Sequence, residues 1–426
     1  MNTITSDYDL TIIGAGPAGE TAAIHASNLG LKVALIEKTA YLGGTCLNVG
    51  CVPTKTLITV AKTLILMKKT KRLGLEISGV NYEWHNVLKY KDSIVENQRK
   101  GLLNLLKNKN VDIYCKSKAK IINQNTVEIE NLEKYQKINI NTKYILISTG
   151  STTKNLNGIN IDETNIFSSD GILSIGQIPH TLAIIGGGII GIEFACLFAI
   201  FGAKVSVFEM MPNILPQQDQ ECTTEIQKFL KRYGIKIYTN YQLQNIQITD
   251  NQTIILSNHQ KENLEFDKLL IAIGRKPQSE QLWDPNLNIN TTSKGFIEVN
   301  EHYQTNYPNI YAVGDVINTP ALAHIASHES LYVINHILKH PTEPINYNAY
   351  PNVIYTIPEL ASVGFTTEDL NIKKLDYAIA KFPFSPLAKA NIEQCREGFI
   401  KILYNKNTKQ ILGAHIVHDK ASELIS

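Results

Sequence analysis

The sequence predicts an α/β protein with two Rossmann-like dinucleotide-binding domains and a smaller α+β domain near the C-terminal end. Three observations predict it. A strand, a glycine turn, a helix and a second strand run from Asp9 to Glu37. The same order returns from Thr181 to Glu209. Short β-rich runs, Gly398 to Ile402 and Ile411 to His415, follow near the end. Alternating strands and helices favour a parallel sheet covered by helices. With 426 residues, two to four domains are expected.

Composition narrows the function classes. At 43% hydrophobic and 19% charged residues the chain is globular. A net charge of +2, with no basic patch interleaved with aromatics, argues against a nucleic-acid partner. Met1 to Leu10 contains Asp7 and Asp9 and no basic stretch, so it does not read as a secretion signal. No apolar run is read as a membrane span, so no membrane partner is expected. Six cysteines in a chain this long do not make a disulfide scaffold, which suits a cytoplasmic protein. Cys115, Cys196, Cys222 and Cys395 are scattered and read as core or surface residues.

In the first unit, Asp9 to Ile13 is an apolar, β-branched strand, followed by Gly14-Ala15-Gly16-Pro17-Ala18-Gly19. A helical pattern runs from Glu20 to Leu29, Gly30 ends it, and Lys32 to Ile36 leads to Glu37. The glycines permit a tight turn and let backbone N–H groups approach a pyrophosphate at the helix N-terminus. Glu37 stands where a carboxylate would accept hydrogen bonds from a ribose.

Next comes Gly43-Gly44-Thr45-Cys46-Leu47-Asn48-Val49-Gly50-Cys51-Val52-Pro53-Thr54-Lys55. Pro53 suits the first position of a helix. A thiol just before it faces the positive end of the helix dipole, which lowers thiol pKa. Lys55, four residues past Cys51, adds positive charge on the same helical face. The pair reads as a redox dithiol; a zinc half-site or two buried small hydrophobes are the blander alternatives. No second Cys or His pair with metal-ligand spacing lies nearby, so no metal is expected.

Lys55 to about Leu73 and Tyr82 to Lys107 read as helices packed on the first domain. Val111 to Tyr114 and Thr126 to Ile129 read as strands. Lys143 to Ser148 is a buried strand running into Thr149-Gly150-Ser151. After Pro179 the second unit has the strand Thr181 to Ile185 and the turn Gly186-Gly187-Gly188-Ile189-Ile190-Gly191. The helix Ile192 to Gly202 and the strand Ala203 to Phe208 complete it, ending at Glu209. Met210-Met211-Pro212 supplies no arginine, so an adenosine ribose without a 2′-phosphate fits, and NAD is predicted over NADP. Glu193 reads at minimum as a favourable charge near a helix N-terminus. Phe266 to Ile273 and Ile310 to Asp315 read as further strands, Asp315 at minimum a turn aspartate and His324 a core histidine.

The segment from Gly43 to Lys55 resembles the active-site signature of the FAD-dependent pyridine nucleotide–disulfide oxidoreductases, and within them the dihydrolipoamide dehydrogenases. The resemblance continues along the chain. Thr149-Gly150-Ser151 resembles the end of the first FAD segment, with Ser148 where alanine is usual. Gly274-Arg275-Lys276-Pro277 resembles the Gly-Arg-x-Pro crossing between domains. Asn352 to Gly364 resembles the interface-domain pattern. The resemblance implies an FAD-binding domain over 1–150 and 275–344, an NAD-binding domain over 151–274 and an incomplete dimerisation domain over 345–426.

It also implies roles. FAD would contact Gly14, Gly16, Pro17, Ala18, Gly19, Glu37, Lys38, Gly44, Thr45, Lys55, Ala119, Thr149, Gly150 and Ser151. Asp315 would take the flavin's ribityl chain, and Ala321, Leu322, Ala323 and His324 its pyrimidine edge. NAD would contact Gly186, Gly188, Ile189, Ile190, Gly191, Glu193, Glu209, Leu243 and Gly274. Cys46 would exchange with substrate, Cys51 would contact the flavin, and Lys55 and Glu193 would stand beside its ring. Electrons would pass between dihydrolipoamide or lipoamide, the Cys46–Cys51 couple, FAD and NAD in a homodimer. The partner would be a lipoyl domain of a 2-oxoacid dehydrogenase complex or free lipoamide.

The chain departs from the pattern at its end. It stops at Ser426 in a starting helix, Ala421 to Ile425, where the family continues to a His-x-x-x-x-Glu pair. His415 and His418 do not match that pair. A fragment, a shortened gene or a protein without full thiol–disulfide turnover are the readings this leaves. The alternatives kept beside the leading one are another NAD(P)H-dependent disulfide or mercuric reductase of the same fold, and a flavin- and NAD-binding protein without turnover.

Overall fold

The computed structural model describes residues 7–76, 79, 81–258 and 263–425. Residues 1–6, part of the stretch read as lacking a secretion signal, lie outside the described residues, as does Ser426. Two compact units form: Met1–Pro53 with Lys91–Thr152 and Arg275–Tyr347, and Thr54–Tyr90 with Thr153–Gly274 and Asn348–Ser426.

The first unit is built on a seven-stranded sheet. Asp112–Tyr114, Val33–Ile36, Tyr8–Ile13, Lys137–Ile147 and Ile310–Ala312 run parallel, in that spatial order. The strand Lys137–Ile147 does two jobs. Residues 137–141 pair antiparallel with Thr126–Asn131, and 142–147 pair parallel with Tyr8–Ile13. Its exposed start, residues 137–139, and fully buried end, residues 145–147, explain why only the second part reads as an apolar strand. Ser117–Asn123, which the sequence reading did not recognise, completes the antiparallel edge. Leu10, Ile12, Leu35, Ile145 and Leu146 are fully buried. Each such side chain contributes roughly 1.5–3 kcal/mol by leaving water. Chain order reverses between Tyr8–Ile13 and Lys137–Ile147, and ligands of doubly wound sheets bind at the carboxyl ends of strands at such a switch point.

The second unit holds a five-stranded parallel sheet in the order Lys236–Tyr238, Lys204–Phe208, Thr181–Ile185, Lys268–Ile271, Ile166–Phe167. A three-stranded antiparallel sheet follows it, Leu243–Ile248, Ile254–Asn258 and Asn263–Phe266. The C-terminal sheet is five-stranded and antiparallel: Asn352–Ile354, Glu359–Gly364, Ile411–His418, Phe399–Asn405, Tyr377–Pro383.

Three expectations need correction. The helix expected from Pro53 or Lys55 begins at Cys51 and runs to Lys69, with a tighter turn over Thr70–Leu73. Pro53 is its third residue, where no intrahelical N–H bond is lost. A separate short helix, Gly44–Val49, precedes it and ends at Gly50. Secondly, Thr54–Tyr90 belongs to the second unit, not the first. The Trp84 indole N–H donates to the Ile175 carbonyl at 2.8 Å, its ring meets Phe201 edge-on at 5.0 Å, and Lys62 pairs with buried Glu359. Periodicity shows that a helix has an apolar face; it does not say which neighbour covers it. Thirdly, the Gly44–Leu73 stretch is long and apolar enough by composition for a membrane span, contrary to the expectation. Its Lys55 and Lys62 make ion pairs with Glu193 and Glu359 within the second unit.

Candidate active site

In the first unit the glycine turn lies just past Ile13. The helix Pro17–Asn28 starts there, and Gly16, its N-terminal flanking residue, supplies no capping side chain. Its first N–H groups are therefore left to other acceptors, a preformed anion site. A Cβ on Gly19 would fall 1.9 Å from the Gly14 carbonyl oxygen, so helix and strand could not pack this closely with any other residue. A Cβ on Gly16 would meet nothing nearer than 3.8 Å, which leaves its front open to a ligand. Glu37 ends the next strand. Its Oε2 accepts the Ala15 N–H at 3.0 Å and its Oε1 the Thr39 N–H at 2.8 Å. A second helix, Ala323–Ile337, also starts without a capping side chain, at Leu322 and beside Ala321 and His324. These features fit a dinucleotide with a pyrophosphate and a polyol, as FAD has.

The cysteine segment is fastened to this turn. The Gly43 N–H donates to the Ala15 carbonyl at 2.7 Å. Gly44, at φ +55°, lies so close that a Cβ would come 2.6 Å from Gly16 Cα. Asn48 clamps the short helix from inside, donating to the Leu42 and Gly44 carbonyls at 2.9 and 2.7 Å. Arg99 donates to Asn48 Oδ1 at 2.5 Å and lies 3.9 Å over the Tyr41 ring. Cys46 is half-buried and Cys51 exposed. Cys51 is the first residue of its helix, so its sulfur belongs to the positive end of that dipole. Lys55 follows one turn later.

Around the flavin-type cradle, Thr149-Gly150-Ser151 is held by Gln278, whose amide donates to the Thr149 and Ser151 carbonyls at 3.2 and 3.0 Å. Lys38 donates to the same Gln278 side chain. Asp315 lies in the tight turn Gly314–Val316. Buried Glu329 accepts the Gly314 N–H at 2.6 Å and the Tyr347 hydroxyl at 2.9 Å, and burial pushes its carboxyl pKa up. Ala119 is buried in the hydrophobic core, in register with Ile129, so only its backbone could reach a cofactor.

The second unit repeats the cradle. The helix Ile189–Ile200 starts after Gly188, again with no capping side chain. A Cβ on Gly191 would fall 2.0 Å from the Gly186 carbonyl oxygen, while one on Gly188 would meet nothing within 4 Å. Glu209 accepts the Gly187 N–H at 2.6 Å and the Met211 N–H at 2.8 Å, from positions 22 residues before and 2 after it, as Glu37 does with Ala15 and Thr39. Leu243 opens the strand Leu243–Ile248, half-buried, and Gly274 is exposed with its carbonyl accepting from the Lys154 N–H at 2.9 Å. These features fit a second dinucleotide.

Lys55 and Glu193 do meet: Nζ to Oε2 is 2.8 Å, with Glu193 buried and Lys55 half-buried. Tyr355 completes the cluster. Its N–H donates to Glu193 Oε1 at 2.9 Å and its ring lies 4.6 Å below the Lys55 ammonium. The sequence reading missed Tyr355, Gln278, Asn48, Arg99 and Glu329. The only signal for Tyr355 was its place in the Asn352 to Gly364 pattern.

Burial pushes the Cys196 thiol up to about 12 and raises those of Cys115, Cys222 and Cys395. Such thiols are poor nucleophiles. His415 and His418 lie buried in the strand Ile411–His418, bonded to the Phe365 and Cys395 carbonyls, each at 2.9 Å.

Known proteins share this arrangement. The family model for pyridine nucleotide-disulphide oxidoreductases matches residues 8–330, and that for their dimerisation domain matches 350–426. A mitochondrial dihydrolipoyl dehydrogenase of Schizosaccharomyces pombe is 34% identical, covering 98% of this chain and 83% of its own length. The Bacillus subtilis dihydrolipoyl dehydrogenase is 33% identical, over 99% of this chain and 91% of its own. Among solved structures, the HOCl-induced flavoprotein disulfide reductase RclA from Escherichia coli superposes with a TM-score of 0.87 at 28% identity, over 98% of this chain and 91% of that one. LpdA from Mycobacterium tuberculosis gives a TM-score of 0.91 at 21% identity, again over 98% and 91%, a likeness of fold alone. With two dinucleotide cradles and a dithiol fastened to one of them, the chain belongs to the pyridine nucleotide–disulphide oxidoreductases, a family of FAD- and NAD-using enzymes in which these curated relatives are dihydrolipoyl dehydrogenases.

Proposed function

We propose that this chain oxidises dihydrolipoamide to lipoamide with NAD⁺, as a homodimer serving the lipoyl domain of a 2-oxoacid dehydrogenase complex. The observation that carries this reading is the contact of the Gly43-Gly44 start of the dithiol segment with the Ala15-Gly16 turn. A redox couple held against a dinucleotide cradle is placed for electron exchange with what the cradle binds.

In the proposed chemistry, a substrate thiolate attacks Cys46 of the Cys46–Cys51 disulfide. A substrate–Cys46 bond forms, the Cys46–Cys51 bond breaks and Cys51 leaves as a thiolate. The second substrate thiol attacks the sulfur bound to Cys46, closing lipoamide and releasing Cys46. The substrate has lost two electrons and two protons, and the protein holds a dithiol. FAD, when bound, would supply a two-electron relay between this dithiol and NAD⁺, with NADH and one proton as the products. The helix dipole steadies the Cys51 thiolate, and Lys55 adds positive charge on the same helix. Glu193 and Tyr355 hold Lys55 in place. Gly16 and Leu322 open the helix ends that would take the FAD phosphates and pyrimidine edge; Gly188 opens the one that would take the NAD phosphates, and Glu209, at the end of the next strand, would take its ribose.

The FAD and NAD contacts named above, and a division of the second unit into NAD-binding (151–274) and dimerisation (345–426) parts, belong to this proposal. So does a cytoplasmic location, which rests on cysteine usage; fungal and slime-mould relatives are mitochondrial by name.

Purified protein should be yellow, with stoichiometric FAD, and should reduce lipoamide with NADH at least tenfold better than with NADPH. A colourless protein, or one whose bound FAD is bleached by NADH without any lipoamide reduction, would overturn the reading. Glu209→Gln should raise the KM for NADH about 10- to 100-fold, since a hydrogen bond to a charged group is being weakened. It should also narrow the gap to NADPH, because a 2′-phosphate no longer meets a carboxylate. Initial rates with both nucleotides test this, and an unchanged NADH KM would remove Glu209 from the site.

A further inference from the structure

One side chain joins three stretches of the flavin-type cradle. Arg275 Nε donates to Ser151 Oγ at 2.7 Å, and Nη2 donates to the Ser151 carbonyl at 2.8 Å. Nη2 also reaches Thr45 Oγ1 at 3.4 Å, one residue before Cys46. Ser151 Oγ then donates to Asp315 Oδ2 at 2.6 Å. Ser151 is buried, and Arg275, Thr45 and Asp315 are half-buried.

The direction of this relay follows from donor and acceptor counting. Arginine only donates, and a serine hydroxyl has one proton to give. With a guanidinium N–H pointing at its lone pair, the Ser151 proton goes to Asp315. Asp315 Oδ2 is then the acceptor, and with Oδ2 engaged Oδ1 is the oxygen left to meet a hydroxyl from a ligand. A chain of bonds led by a charged donor is also stronger than its separate members. Lysine could not replace the fork, because a single ammonium cannot keep both the Nε and the Nη2 contact.

We propose that Arg275 is the positioning residue of the flavin site. Through Ser151 it orients the Asp315 carboxylate toward the cofactor's polyol hydroxyls, and through Thr45 it ties the start of the dithiol segment to the same point. This deepens the flavoprotein reading above and rests on it.

The test is the affinity of the apoprotein for FAD, followed by flavin fluorescence, in wild type, Arg275→Lys, Ser151→Ala and the double variant. The visible circular dichroism of the bound flavin and the thermal transition of each apoprotein are measured alongside. Each single change should weaken FAD binding about 10- to 100-fold. The double variant should be no weaker than the worse single one, because both cut the same relay. The flavin dichroism should change in both, while the apoprotein transition stays within a few degrees. If Arg275→Lys does not fold, Ser151→Ala carries the same expectation alone. Wild-type FAD affinity in the folded variants, or losses that simply add, would overturn the proposal while leaving the flavoprotein reading intact. A wild type that takes up no FAD would overturn both.

Discussion

Cys46→Ser is expected to cut NADH-driven lipoamide reduction on the order of 10³-fold or more, because a covalent step cannot proceed without its sulfur and such steps lose most of their rate when the nucleophile goes. NADH oxidation by a small dye, which by-passes the dithiol, should stay within about twofold of wild type. The contrast between the two assays is the decisive quantity. Cys46 is half-buried in a short helix whose backbone is held by Asn48 and by the Gly43–Ala15 bond, so a serine of nearly the same size leaves the fold alone. Equal lipoamide rates in wild type and variant would show that the dithiol is not on the reaction path. A fall in both assays together would mean that the change had disturbed the cradle instead. Cys115→Ser, at a thiol whose pKa burial raises, should change neither assay.

Lys401→Met is expected to destabilise the protein by about 3–5 kcal/mol, the usual cost of leaving a buried charge without its partner. Lys401 is 2% exposed and Asp219 is fully buried. The ammonium lies 2.9 Å from both Asp219 oxygens and 3.1 Å from Glu221. Asp219 also accepts from the Thr367 hydroxyl at 2.7 Å and caps the helix Gln220–Arg232 through the Glu221 N–H at 3.2 Å. Burial pushes the Asp219 carboxyl up, but the Lys401 and Thr367 hydrogen bonds and the Lys401 charge outweigh it and bring the pKa to about 2.

The pH dependence follows in sign. A carboxyl held below its ordinary value of about 3.9 contributes fully above that value and loses its contribution as pH falls through about 2. Lys401 is raised: burial opposes the charged form, and the Asp219 and Glu221 contacts more than offset it. Its contribution is complete below the ordinary lysine value of about 10.4 and fades as pH rises past it. The gap between wild type and variant should therefore be flat from about pH 5 to 9. Thermal melting should show a drop of about 10 °C. Lys381→Met removes a partner of Glu221 at a half-exposed pair and should cost less than about 1 kcal/mol. A Lys401→Met variant that melts with wild type would show that Asp219 finds water or a proton at no cost.

Both dinucleotide cradles were legible before any coordinates, because each is local. A tight turn, a close helix–strand approach and an acid at the next strand end are demands on residues within about thirty positions of one another. The same holds for the Cys46–Cys51 pair, close together in the chain, and for Lys55, which shares one helix with Cys51. The pairing of Lys55 with Glu193 was named only because a family pattern placed them together; nothing local links residues 138 positions apart. Tyr355, Gln278, Glu329, the Arg275–Ser151–Asp315 relay and the Lys401–Asp219 pair had no local signal, since each joins segments distant in the chain.

The sequence alone determined the two strand–turn–helix–strand units, the two nucleotide cradles, the redox-capable segment and the preference for a ribose without a 2′-phosphate. These follow from backbone conformation and the chemistry of near neighbours. Only the tertiary structure decided that Thr54–Tyr90 packs with the second unit, that the dithiol helix starts at Cys51, and which buried charges answer one another. Burial and ion pairing depend on which surfaces meet in space, and many surfaces could satisfy the same apolar periodicity.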